Sequence, residues 1–181
     1  MLEWLNTNLS IETVIWLFPL TFLLHDFEEI IFVEAWFQKN YAKVIKRVPL
    51  RARGLFEGMS HTTAARFSIP VVLQLVMYII AAYLAVEQQL YGLVVGFNVL
   101  LFLHVFTHIG QSLFFRTYAL GVGTAILITV PYSLYLFYRL LQDEIINFRD
   151  IVLNAPYGLV TIFIVFIGHR IAPKLLPSVK R

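Results

Sequence analysis

Five stretches of the chain carry apolar residues at nearly every position: 12–36, 63–86, 91–115, 118–139 and 152–172. Each is near or above the roughly 20 residues that an α-helix needs to cross a bilayer. Strands of a membrane barrel alternate apolar and polar side chains at every second position, and these runs do not. Backbone polar groups in lipid find partners only inside a helix or a closed barrel, so each run is expected to be a helix. The connection 37–62 differs from the rest. It is basic and partly amphipathic through Val44, Ile45, Val48, Leu50, Leu55 and Phe56, and reads as a surface segment lying on anionic headgroups. The pattern predicts an all-α polytopic transmembrane bundle of about five helices, one domain over 1–181.

Composition agrees with that reading. Of the 181 residues 59% are hydrophobic and 14% charged, against about 25% charged in an ordinary soluble chain. There is no cysteine, which excludes disulfides, thiolate metal ligands, a cysteine nucleophile and iron–sulfur clusters. The opening MLEWLNTNLS lacks the basic start and small-residue cleavage site of a removable signal peptide.

The net charge of +3 matters less than where the fourteen basic residues fall. Lys39, Lys43, Lys46, Arg47, Arg51, Arg53, Arg66, Arg116, Arg170, Lys174, Lys180 and Arg181 belong to one side, leaving Arg139 and Arg149 on the other. Lysine and arginine gather on the cytoplasmic face of membrane proteins, so the N-terminus is expected outside and the C-terminus in the cytoplasm. This is an orientation pattern rather than a nucleic-acid patch. The expected partners are membrane lipids, not nucleic acid.

Polar chemistry is concentrated in FLLHDFEEIIF, residues 22–32. An ionisable group at the centre of a membrane helix costs about 2.5–3.5 kcal/mol on insertion scales, so four together need a reason. On a helix, residues three and four apart share a face, which groups His25, Glu28 and Glu29 and turns Asp26 aside. In the third run His104, His108 and Gln111 share a face in the same way. His25 and His104 each lie roughly 20 Å along their helices from the outer end, at 1.5 Å per residue. The two polar faces are therefore level, in the cytoplasmic half, with His61 at the mouth of the second run able to lean in. His169, near the inner end of the fifth run, is a weaker candidate.

Imidazoles and carboxylates on facing helices are ligands for zinc, iron or manganese, and a bound cation favours the ionised carboxylates that burial opposes. Two other readings stay open: a proton relay of a transporter, and a hydrogen-bonded network that pins two helices. The His-x-x-Glu-Glu string is the specific signal; His-x-x-x-His alone is weak. No phosphate-binding glycine loop or nucleophile elbow occurs, and no organic cofactor is indicated.

His25-Asp26-Phe27-Glu28-Glu29 resembles the namesake motif of the HXXEE-domain family of small bacterial membrane proteins. Two further motifs of that family, Asn-x-x-x-His and Tyr-x-Pro-Gly, have partial counterparts. His104-Val105-Phe106-Thr107-His108 has histidine in place of asparagine, and Tyr118-Ala119-Leu120-Gly121 has leucine in place of proline. The resemblance spans about residues 12–125 and implies an integral membrane enzyme of a bacterial-type cytoplasmic (inner) membrane. It lends weight to His25, Glu28, Glu29, His108, Tyr118 and Gly121, and supplies no substrate.

The resulting expectation is a metal-dependent membrane enzyme acting on a lipidic or amphipathic substrate. His25, Glu28, Glu29, His104, His108 and, as an extra, His61 are the candidate ligands, with zinc favoured over iron. A glutamate not held by metal is the candidate general base in a hydrolytic reaction with metal-activated water, and Tyr118 a hydrogen-bond donor. Arg66, Gln111 and Gly121 are assigned to substrate. A di-iron oxygenase or hydroxylase and a proton-coupled transporter are the alternatives. A homodimer would give the transporter the symmetry that five spans lack.

Overall fold

The computed structural model describes residues 2–177, and within them every regular element is helical. A short α1 (Leu2–Asn8) meets the long α2 (Ile11–Val44) at 106°. Then come α3 (Arg53–Ser60), α4 (Ala64–Gln88), α5 (Gly92–Phe115), α6 (Val122–Gln142) and α7 (Phe148–Leu175). Helices α4 to α7 are each long and apolar enough to cross a membrane; α2 reaches that standard only together with α1. The reason is its own polar string, which places Asp26, Glu28 and Glu29 in the middle of the helix.

The helix starts follow ordinary capping chemistry. Ser10 Oγ accepts from the Thr13 N–H at the start of α2, and Thr63 Oγ1 from the Arg66 N–H at the start of α4. Asn147 and Asp150 form a reciprocal capping box on α7, the pairing that satisfies two orphan donors at once. The Ala64 N–H is taken by Glu34 Oε1 of α2, 2.9 Å away.

Helix α2 packs along α4, α4 along α7, and α5 lies between α2, α4, α6 and α7. Phe18, Phe22, Tyr78 and Phe97 interlock at the centre, with ring centroids 4.6–5.2 Å apart. Small residues allow the closest crossings: a Cβ on Gly158 of α7 would stand 2.9 Å from the Gly96 carbonyl oxygen of α5. This is the small-residue packing on which membrane helices rely.

The apolar runs and the helices coincide closely except at three ends. Helix α2 continues eight residues beyond the expected 36, because nothing before Pro49 breaks it and Phe37 and Val44 are buried. The segment 37–62 is thus the end of α2, a turn, and α3, whose Phe56 packs on Phe37, Tyr41 and Phe115. Helix α6 begins at Val122 rather than 118, since Gly121 turns the chain at φ +82°. Helix α7 begins at Phe148 rather than 152, because the capping box at Asn147 and Asp150 starts it there. Near its start α6 widens into a π-helical turn, Ala125–Thr129, just before Pro131, which has no N–H to bond the preceding turn.

The two ends of the bundle differ in charge. Lys43 donates to the Arg116 carbonyl, Arg47 to that of Phe114, and Arg66 to that of Leu176. These contacts join the basic ends of α2, α4, α5 and α7. Arg139 lies at the opposite end, where it donates to the Leu9 carbonyl at the start of the chain. Lys180 and Arg181 lie outside the described residues.

Candidate metal centre

His25 and Glu29 are one turn apart on α2, and His104 and His108 one turn apart on α5. Their side chains converge. One ligand atom from each of His25, Glu29, His104 and His108 lies within 4.8 Å of the other three, slightly wider than the about 4.4 Å that two ligands of one ion can span with bonds near 2.0–2.2 Å, so the side chains would draw inward on binding one. His25 and His108 are buried, Glu29 is half-buried and His104 is exposed. His108 Nε2 stands 3.3 Å from Glu29 Oε1, and neither ring nitrogen of His108 makes a hydrogen bond among the described residues.

The outer nitrogens of the other two imidazoles are occupied. Thr124 Oγ1 donates to Glu28 Oε2 at 2.6 Å and lies 3.1 Å from His25 Nδ1. With its hydrogen on the carboxylate, the hydroxyl accepts the Nδ1 proton, which assigns the Nε2 lone pair to the cluster. His104 repeats the arrangement on a local scale. Thr107 Oγ1 donates to the His104 carbonyl at 2.7 Å and lies 3.1 Å from His104 Nδ1. Fixing the ring and its tautomer through the far nitrogen is how proteins prepare histidine for a metal.

The string thus divides its labour. His25 and Glu29, four apart, face α5, while Glu28 turns to the start of α6. The Glu28 carboxylate accepts from Tyr118 Oη at 2.5 Å, the Gly121 N–H at 3.2 Å, the Thr124 N–H at 2.9 Å and the Thr124 hydroxyl. An anionic side chain on the free N–H groups that open a helix is favourable by charge and by hydrogen bonding.

The family profile for proteins of unknown function with an HXXEE motif matches residues 16–136. The chain belongs to the HXXEE family. No curated protein and no solved structure matches it. The matched region contains all of the cluster and the loop that closes it.

That loop carries the remaining motif residues of this HXXEE protein. Gly121 presses its backbone on the cluster: a Cβ there would meet Glu29 Oε1 at 2.5 Å and His108 Cε1 at 2.8 Å. Its positive φ and this contact both require glycine. Tyr118 is exposed, with its hydroxyl donating to Glu28 and accepting from the Gly123 N–H at 3.0 Å. Burial of the hydroxyl and the adjoining Glu28 carboxylate push its pKa above the ordinary phenol value. Behind it, Trp36 Nε1 donates to the Tyr118 carbonyl and Thr117 to Asn40 Oδ1, so the far end of α2 holds the loop in place.

His61, Arg66 and His169 lie elsewhere: they line a separate cleft between α3, α4 and α7. Gln111 is exposed on α5 about one turn past His108. Thr124, which no sequence argument singled out, is the residue that links Glu28 to His25. Its only local signal is a hydroxyl three positions after Gly121 in an otherwise apolar run.

Proposed function

We propose that this HXXEE protein is a metal-dependent membrane enzyme that hydrolyses an ester, amide or ether bond of a lipidic or amphipathic substrate. The observation that carries the reading is the convergence of His25, Glu29, His104 and His108 on one point. Three imidazoles and one carboxylate suit zinc, and iron second. Such an ion acts as a Lewis acid toward a carbonyl or a water molecule. A pair of irons has less support, because soluble di-iron bundles take four carboxylates and two histidines and this group offers a single carboxylate.

The chain's own residues have distinct parts in this reading. His25 and His104 present lone pairs fixed by Thr124 and Thr107. Glu28 is a positioning residue, holding Thr124 and the phenol of Tyr118, and Tyr118 is the exposed group beside the cluster with a proton to give. His104 is the exposed ligand; Thr107 and Gln111 share its face of α5 and are exposed, with the exposed Leu103 on its flank. In this reading a lipid arrives sideways from the bilayer past Leu103, and its polar part meets the face of His104, Thr107 and Gln111. The basic end of the bundle, and with it this site, faces the cytoplasm of a bacterial inner membrane in this proposal.

The test is turnover in proteoliposomes containing ester-, amide- and ether-linked lipids, read by mass spectrometry of the released fragments. Product that forms with metal-loaded protein, and is lost with a chelator and with His104→Ala, supports the reading. Fully metal-loaded protein that cleaves none of the three classes contradicts it. The 3.3 Å approach of His108 to Glu29 also suits a proton relay, as in a proton-coupled transporter. Metal-independent, pH-driven uptake of a solute into the same vesicles would select that second reading.

A further inference from the structure

We propose that the cleft between α3, α4 and α7 is a binding site for the phosphate headgroup of an acidic phospholipid, distinct from the metal centre. The cleft has a volume of about 260 Å³. Arg66 enters it from α4, His61 from the end of α3 and His169 from α7. None of its lining residues is acidic, and none belongs to the metal cluster.

The arginine is arranged for an anion. Its Nε donates to the Leu176 carbonyl at 2.9 Å, which fixes the plane of the guanidinium. Among the described residues its two Nη groups have no hydrogen-bond or carboxylate partner. A planar guanidinium with two free donor groups matches two phosphate oxygens. His61 is exposed and makes no side-chain hydrogen bond among the described residues, and the His169 ring packs on Phe67 with centroids 5.7 Å apart. Two imidazoles beside a guanidinium that has no carboxylate partner among the described residues, with no carboxylate in the lining, are complementary to a negative headgroup.

The rest of the wall argues for a lipid rather than a soluble phosphate. Leu55, Met59 and Pro173 line the same cleft, and Leu55 and Met59 are strongly exposed, at 73% and 46%. Leu50, just before α3, is exposed at 77%. The cleft therefore combines a cationic floor with an apolar wall at the end of the bundle that gathers the basic residues. That combination places a headgroup on arginine and its acyl chains against α3.

Delipidated protein, examined by native mass spectrometry against equal concentrations of phosphatidylglycerol and phosphatidylcholine, tests this site. Wild type is expected to retain phosphatidylglycerol about tenfold better than phosphatidylcholine, the scale of one charge-assisted pair. Arg66→Gln should abolish the preference, whereas Arg51→Gln, an exposed cation outside the cleft, should keep it. His61→Gln alters an exposed side chain and should weaken retention by a smaller factor, which tests the site even if Arg66→Gln fails to fold. Metal content should be the same in all four proteins, so this test and that of the metal-dependent reading fail independently. Equal retention of the two lipids by wild type, or equal losses in Arg51→Gln and Arg66→Gln, would overturn the proposal. Inorganic phosphate lacks the apolar contacts and should compete poorly; binding as tight as that of phosphatidylglycerol would overturn the lipid assignment.

Discussion

Two groups of polar residues sit at opposite levels of this bundle, and they are built differently. At the N-terminal end Arg139 is buried, yet both of its Nη groups are engaged. It donates to the Leu9 carbonyl at 2.9 Å, to Tyr135 Oη at 3.1 Å and to Asp143 Oδ2 at 3.1 Å. Asn6 completes that group by accepting from Tyr135 and donating to Gln142 and Tyr138. At the candidate metal centre one nitrogen each of His25 and His104 is satisfied by a threonine, while one ligand atom from each of His25, Glu29, His104 and His108 converges with the others. Unpartnered polar atoms in a buried setting cost free energy. A group that closes on itself holds helices together; a group left open toward a shared point is prepared for a ligand. The same contrast divides neighbours in the motif, since Glu28 is saturated with donors and Glu29 is not.

Substitutions that lower metal affinity when made in the cluster, and leave it unchanged when made around Arg139, sharpen this contrast. The largest effect is expected for His108→Ala, which deletes a buried ligand of the cluster that stands 3.3 Å from Glu29. Metal affinity should fall by more than the roughly 10–100-fold typical of outer-sphere partners, as measured by competition with a chelating dye. Thr124→Val comes next. It removes the acceptor of His25 Nδ1 without touching the cluster, and should weaken metal by about 10–100-fold. Glu28→Gln should change metal affinity by less than about tenfold. It should lower thermal stability by about 1–3 kcal/mol, because an amide cannot accept from every donor at the start of α6. Arg139→Gln should leave metal affinity unchanged and cost about 1–2 kcal/mol of stability, discounted for the partly exposed Asp143. If Arg139→Gln lowered metal affinity as much as Thr124→Val, the distinction between closed and open groups would collapse.

Much of this arrangement was legible in the residues themselves. Long apolar runs give membrane-length helices because lipid leaves the backbone no other partner, and four of the five expected spans meet that standard alone. The spacing of His25 to Glu29 and of His104 to His108 placed each pair on one face, and the matched depths brought the pairs level. What could not be read was set by long-range contacts. The start of α6 is capped by Glu28, 96 positions before Thr124 in sequence, so no local signal marks it. Glu28 shares the helix face of His25 by spacing, yet the N–H groups at α6 draw it away from α5. His61 stands at the mouth of the second run, but that does not say on which side of the bundle it lies, and the end of α3 sets it in the cleft beside α7.

The most direct test is the metal content of wild-type protein purified without added metal and without chelator, by mass spectrometry of the element and the protein together. About one equivalent of zinc or iron per chain, absent from His25→Ala prepared in parallel, is the result expected. Wild-type protein that is folded and metal-free, or His25→Ala that keeps its full equivalent, would contradict the proposal that these four side chains close on a shared ion.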